Sequence, residues 1–574
     1  MTHPAPRIPR PASRAPRPAP RIPRPAPRAP RPAPRVPRPG SYCHCDRLVR
    51  VSLKRSFAIV LVWMALVAPG PAEVRLPDGA ERAVGSMSAQ ALHAMVETLA
   101  SDGFAGRGVG HEGNRTAEAF IAHTLEESGV PPGAVDGTYF QPVELYQPAL
   151  SGDARLSIED ARGNRVASFV AGTEFYPLPE TGDRVVRAPL VLAGYGISAP
   201  DVHHDDYARF DARGAIVVVR DGAPDTLQTS TRIPEEERLE LTSLERKMRD
   251  AQAHGAAGLL IIRSYMPELR SVWPEHPSVR TSSYRLLSDL RLHPAPLGAI
   301  SDKAAGPIVR ALEARNSLVA VFAPGLAAER VTVHNVLGLI EGRDPGRRGE
   351  MIVVGAHMDH DGIDAEGHIY NGADDNASGT AAVMSAAAAL ARAATAGDRP
   401  ARAMLFALWN GEEKGSLGAE RFVDAPEPHR KVIANLNLDM VGRDEDIPDP
   451  SDWRFNGFSK TDAASNRNTL HLLGYSYTSD LAGAVLEANE AVGLTIREDY
   501  DRGAQNLLQR SDQWPFLAHG IPAVFLTSGL HPDYHTPQDD TDRIDFAKLE
   551  RVARLTARAA WIVAEGPAPQ IRRR

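Results

Sequence analysis

Four short motifs in the C-terminal half of this 574-residue chain bring together side chains that can bind cations and move protons. They are His357-Met-Asp359, Gly372-Ala-Asp374-Asp375-Asn-Ala-Ser-Gly379, Asn410-Gly-Glu412-Glu413 and Asn437-Leu-Asp439, followed by Tyr534-His535-Thr536. Two imidazoles, three carboxylates suited to metal and one spare glutamate form the inventory of a two-metal hydrolase. Two divalent ions about 3.5 to 4 Å apart repel each other, so a carboxylate must bridge them, and terminal His and Asp or Glu ligands must offset the remaining charge. A water held between them has its pKa lowered towards about 7, yet attack on an amide still needs a base to take the proton and hand it to the leaving amine. In the adjacent Glu412 and Glu413, one carboxylate can bind metal while the other faces the water.

The elements that must position these groups are legible beside them. Residues 351–356, 403–409, 432–438 and 523–527 are short apolar runs, the pattern of strands buried on both faces by helices, and each is closely followed by ionisable residues. From Asn376 to about Ala394 an alanine-rich stretch, with Asn376 and Ser378 as capping candidates, predicts a helix crossing back over the sheet. The His, the Glu pair and the Asp then fall at the carboxyl ends of parallel strands, where open α/β sheets keep their sites. The expected fold class is α/β, a mostly parallel mixed sheet sandwiched by helices.

The series HxD, GADDNASG, NGEE, NLDMVG, SDQWPF, GIPA and DYHT resembles the co-catalytic zinc aminopeptidases of peptidase family M28, in that family's order, over roughly residues 82–150 and 332–565. The resemblance implies two Zn²⁺ per chain. Asp374 would bridge them, His357 and Asp439 would complete one site, and Glu413 and His535 the other. Glu412 would be the general base, Asp359 would orient His357 through its second ring nitrogen, and Tyr534 would stabilise the oxyanion. Asp375 is expected to shape the backbone beside the bridge, and His203, His204, His360, His368 and His531 read as surface or loop residues. Gln513 departs from the pattern, since many relatives have His after Ser-Asp, and the departure bears on the substrate pocket rather than the metals.

The N-terminal region differs in composition. Residues 4–38 are five copies of a seven-residue Pro/Arg unit with ten arginines and no acid, too poor in apolar groups to offset the entropy of ordering, so residues 1–50 read as a polyproline-like or disordered tract. Lys54-Arg55, the apolar run 57–67 and Ala68-Pro-Gly-Pro-Ala72 read as a signal peptide over 51–72, and eleven apolar residues fall short of the about 20 needed to span a bilayer. Because some fifty residues precede this leader, translation is expected to begin near Val51. Without the 14 Lys/Arg and one acid of residues 1–72, the formal charge of −7 becomes −20. So acidic a surface argues against nucleic-acid or anionic-membrane partners. Both cysteines, Cys43 and Cys45, precede the expected cleavage point, and a domain of this size needs no disulfide.

About 500 remaining residues exceed one core. The expected division is 82–164 and 332–565 for the peptidase domain and 165–325 for an inserted, β-rich protease-associated domain, in which no metal motif occurs. The implied activity is an exported exopeptidase removing N-terminal residues from peptides, without stable membrane insertion. Competing readings are a carboxypeptidase or dipeptidase of the same superfamily, a single-zinc glutaminyl cyclase and a receptor-like binding protein on a dead scaffold. The last is disfavoured because no ligand of the set is missing.

Overall fold

The computed structural model describes residues 75–572 except 151–152, 179–180, 183, 229, 231–232, 234–237, 239, 242, 264–283, 288–294, 365, 426–429, 456 and 504. The Pro/Arg tract, the expected leader and the expected start near Val51 lie outside the described residues.

Among the described residues, nine strands form one sheet. They are β1 (Phe140–Leu150), β2 (Arg285–Leu286), β3 (Leu326–Ile340), β4 (Glu350–His357), β5 (Ala403–Trp409), β6 (Lys431–Leu438), β7 (Thr469–Leu473), β8 (Thr495–Arg497) and β9 (Ala523–Thr527), in the order β2-β1-β3-β5-β4-β6-β9-β7-β8. The sheet is mixed. The centre, β5-β4-β6-β9, is parallel, while β3 joins β5, and β7 joins β9, antiparallel.

Alternation along β4 and β5 divides the core. Ile352, Val354 and Ala356 face one side with Met404, Phe406 and Leu408, while Met351 and Val353 face the other with Leu405, Ala407 and Trp409. The first side is covered by α1 (Ala89–Leu99), α2 (Glu112–Glu127), α3 (Gly379–Thr395), α5 (Ser479–Asn489) and α7 (Phe546–Glu565), and the second by α4 (Leu417–Asp424) and α6 (Gln513–Ala518). Helix α3 is the alanine-rich stretch, and it is buried around its whole circumference, as a helix with no polar face must be. Asn376 caps it, accepting the Gly379 amide at 2.9 Å. Parallel register sets His357 beside Trp409, and Leu438 beside Leu526, so the residues after β4, β5, β6 and β9 emerge at one edge.

A second sheet is built from residues between β1 and β3. Its eight described strands run in the order Arg165–Phe169, Arg155–Asp160, Leu318–Ala323, Val186–Leu192, Ile216–Arg220, Gly258–Arg263, Leu297–Ser301 and Phe175–Pro177. Helices Leu244–Ala253 and Asp302–Glu313 pack on its opposite faces. The segment is therefore a layered α/β arrangement, its first strand starting ten residues before the expected boundary at 165. No described helix is long and apolar enough to cross a membrane.

Candidate metal centre

The edge formed by the central strands gathers most of the expected residues, with one exchange. His357 Nε2, at the end of β4, lies 3.4 Å from Asp375 Oδ1 and 3.3 Å from Asp439 Oδ1. Asp375 Oδ2 in turn lies 3.1 Å from His535 Nε2, which is 3.5 Å from Glu413 Oε2. Asp374, expected to bridge two cations, does not reach this cluster. Its Oδ1 accepts the Gly442 amide at 2.6 Å and its Oδ2 lies 3.3 Å from His531 Nε2. The cause is the turn from Gly372, at φ 56°, into α3: the amides of Asp374 and Asp375 both donate to the buried Asp539 carboxylate at 3.0 Å, and the two successive side chains then leave in different directions.

Asp359 also differs from expectation. His357 Nδ1 is oriented by the Asp359 backbone carbonyl, 3.1 Å away. The Asp359 carboxylate instead accepts the amides of Gly411 (2.8 Å), Glu412 (3.1 Å) and Glu413 (3.3 Å), holding the turn that presents both glutamates. His360 and His531, read as surface or loop residues, are buried. His360 Nδ1 bonds Glu413 Oε1 at 2.8 Å. Asp361, unnoticed in the sequence, lies 3.0 Å from His535 Nδ1 and turns that ring's other nitrogen to Asp375.

Electrostatics separate the two glutamates. Burial, then the negative charges of Glu413, Asp512 and Asp439, hold Glu412 well above the ordinary carboxylate range against the pull of His357. Burial also opposes ionisation of Glu413, but His535 and His360 outweigh it and keep that carboxylate well below its usual value. His357 shows the reverse balance: burial resists its protonation, yet Asp439, Glu412 and Asp375 raise it. Neighbouring groups whose environments push them apart are the signature of an acid–base pair with divided duties. Glu412 lines a cleft of about 400 Å³ together with Asp375, Glu413, Asp439, Tyr534, His535 and the apolar Met440, Leu507, Trp514, Phe525 and Leu530. Burial raises the Tyr534 hydroxyl, with the charges of Asp375, Glu413 and Glu412 adding to it and His535 opposing, so it stays protonated at neutral pH.

Behind the site lies Arg107, which is fully buried. Its guanidinium donates to the carbonyls of Met358 (2.8 Å), Leu99 (2.7 Å), Asn371 (2.6 Å) and Gly372 (2.9 Å), tying together the loops that carry His357 and Asp375. Burial lowers its pKa to about 10, and Asp375 and Asp359 limit the fall, so it remains charged at neutral pH. Arg107→Met is expected to cost at least about 3 kcal/mol of unfolding free energy, since several buried carbonyls lose a charged donor at once. Denaturant titration of the two proteins measures this.

The donor set suits a cation such as zinc. His357, Asp375 and Asp439 form one grouping whose ligand atoms lie within 4.8 Å of one another, and His360, Asp375 and Glu413 form another. Asp375 is common to both. His357 Nε2 and Asp439 Oδ1 are buried without a hydrogen-bond partner among the described residues, as ligand atoms aimed at a cation would be.

Residues 335–560 match the model of peptidase family M28. The chain is 28% identical over 230 residues to a probable leucine aminopeptidase of Arthroderma benhamiae, a match covering 38% of this chain and 56% of the relative. It is 24% identical over 393 residues to an aminopeptidase of Pseudomonas aeruginosa, covering 66% of this chain and 61% of that one. It thus spans little more than half the length of these curated relatives. The aminopeptidase from Aneurinibacillus sp. strain AM-1 shares the fold, with a TM-score of 0.51 at 19% identity over 86% of this chain and 96% of that structure.

Proposed function

We propose that this chain is an exported di-zinc aminopeptidase acting on peptides. The observation that carries the reading is Asp375, whose two carboxylate oxygens face separate ligand groupings. His357, Asp375 and Asp439 would hold one Zn²⁺, and Asp375, Glu413 and His535 the other, with His360 steadying Glu413. Bound zinc supplies Lewis acidity, polarising a peptide carbonyl and bringing the pKa of a water towards about 7. Glu412, in neither grouping, takes the proton of the attacking water and returns it to the leaving amine. Tyr534 donates to the oxygen of the attacked carbonyl. The apolar cleft walls receive the N-terminal side chain and exclude bulk water. The family match and the relatives named as aminopeptidases support peptides with a free N-terminus as substrates.

The second sheet, from Arg155 to Ala323, is proposed as the protease-associated domain. Export follows from the leader-like residues 51–72. N-terminal sequencing of the native protein tests it, and peptides recovered from residues 1–45 would defeat the expected start near Val51. For the activity, aminoacyl nitroanilides, N-blocked peptides and C-terminally free peptides are to be compared with and without a chelator. Chelator-sensitive hydrolysis of the aminoacyl substrates alone is the expected result, and cleavage of N-blocked peptides from their C-termini would replace this reading with a carboxypeptidase.

A further inference from the structure

Gln513 opens α6 with its side chain fully buried. Its Oε1 accepts a hydrogen bond from Asn437 Nδ2 at 3.0 Å, and its Nε2 donates to the Leu508 carbonyl at 2.6 Å. These partners belong to two separate segments, each next to residues that line the cleft. Asn437 lies in β6, two residues before Asp439 and opposite Phe525 of β9. Leu508 sits in the short turn Leu507–Gln509, where Leu507 and Gln509, with the following Arg510, line the cleft. Within that turn the backbone bonds are local, Gln509 to Asn506 and Arg510 to Leu507. The Gln513 amide is thus a direct polar tie from the turn to the strand that carries Asp439.

The tie makes a two-sided demand. One partner is a donor and the other an acceptor, so the connecting group must accept and donate at once, at a length spanning both. A carboxamide does so without carrying charge, and the link therefore holds across the pH range in which the carboxylates around it titrate. A carboxylate offers no donor to Leu508, and a thioether offers neither bond in strength.

We infer that Gln513 is a positioning residue for substrate selection: it fixes the wall 507–510 against the side of the cleft formed by Phe525 and Asp439, and so sets the size of side chain admitted. This rests on the aminopeptidase reading. Gln513→Met keeps the length and removes both bonds. Gln513→Glu keeps the volume and the bond from Asn437 but turns an oxygen towards the Leu508 carbonyl, so a shared effect cannot come from lost packing. In both, KM for leucyl and phenylalanyl nitroanilide is expected to rise about tenfold or more, with kcat changed less than about threefold and the alanyl substrate little affected. Amides of residues 505–512 are expected to exchange with deuterium about tenfold faster, while the strands β4, β5, β6 and β9 keep their protection. A fall in kcat at unchanged KM, an equal effect on alanyl and phenylalanyl substrates, or unaltered exchange in 505–512 would overturn the assignment. Failure of the unaltered protein to hydrolyse any aminoacyl substrate would sink the aminopeptidase reading instead, and the exchange comparison would still decide whether Gln513 anchors the wall.

Discussion

Glu412→Gln is expected to retain its zinc and lose at least about three orders of magnitude in kcat, the upper part of the range for a positioned acid–base group. Glu412 joins no cation grouping among the described residues, whereas Glu413 joins one with His360 and Asp375 and another with Asp361 and His535. It nevertheless lies at the site, with Oε2 3.9 Å from His357 Nε2, on the cleft that a substrate must enter. Its raised pKa is what a base working near neutrality needs, because it can accept a proton and release it within one turnover. Replacing the carboxylate by an amide leaves the Asp359 contacts to the backbone of the turn intact, so the loss is confined to proton transfer. Zinc analysis beside steady-state kinetics measures both halves. Full metal with full activity would remove Glu412 from the mechanism.

The second large effect separates two neighbours. Asp375→Asn is expected to bring bound zinc below one equivalent after dialysis and to abolish turnover, because one carboxylate serves both groupings. Asp374→Asn is expected to keep its zinc and to stay within about tenfold of normal kcat, since an amide oxygen can still accept from Gly442 and the side chain faces His531 rather than the cation groupings. The reverse pattern would restore Asp374 as the bridge.

That pair shows where the residues were legible and where they were not. The four buried strands and helix α3 follow from runs of apolar or helix-favouring residues, and the observed elements coincide with them to within a few residues. His357, Glu412, Glu413 and Asp439 stand at or just beyond the ends of those strands, whereas His535, eight residues past β9, is implied by the resemblance alone. Adjacent acids do not separate this way. Spacing tells that one of Asp374 and Asp375 faces the centre, but which one depends on Asp539, 164 positions away, receiving both amides. His360 and His531 looked like loop residues because both follow strand ends, and only packing from other segments buries them. Arg107 left no chemical signature, because its partners are backbone carbonyls that no side-chain pattern reveals.

The ladder between β1 and β3 pairs residue with residue from Phe140 opposite Val336 to Leu150 opposite Leu326. Topologically, then, everything from 151 to 325 is the loop of a single oversized hairpin, with its two ends pinned across one rung whatever lies between them. Closing such a loop costs only slightly more as it lengthens, which is how the nine-stranded sheet can carry so long an excursion without change of register. Among the described residues, Arg285–Leu286 returns from this excursion to pair with Tyr146 and Leu145, covering a strand edge. Excising the excursion would leave the hairpin able to close, and would leave that edge bare.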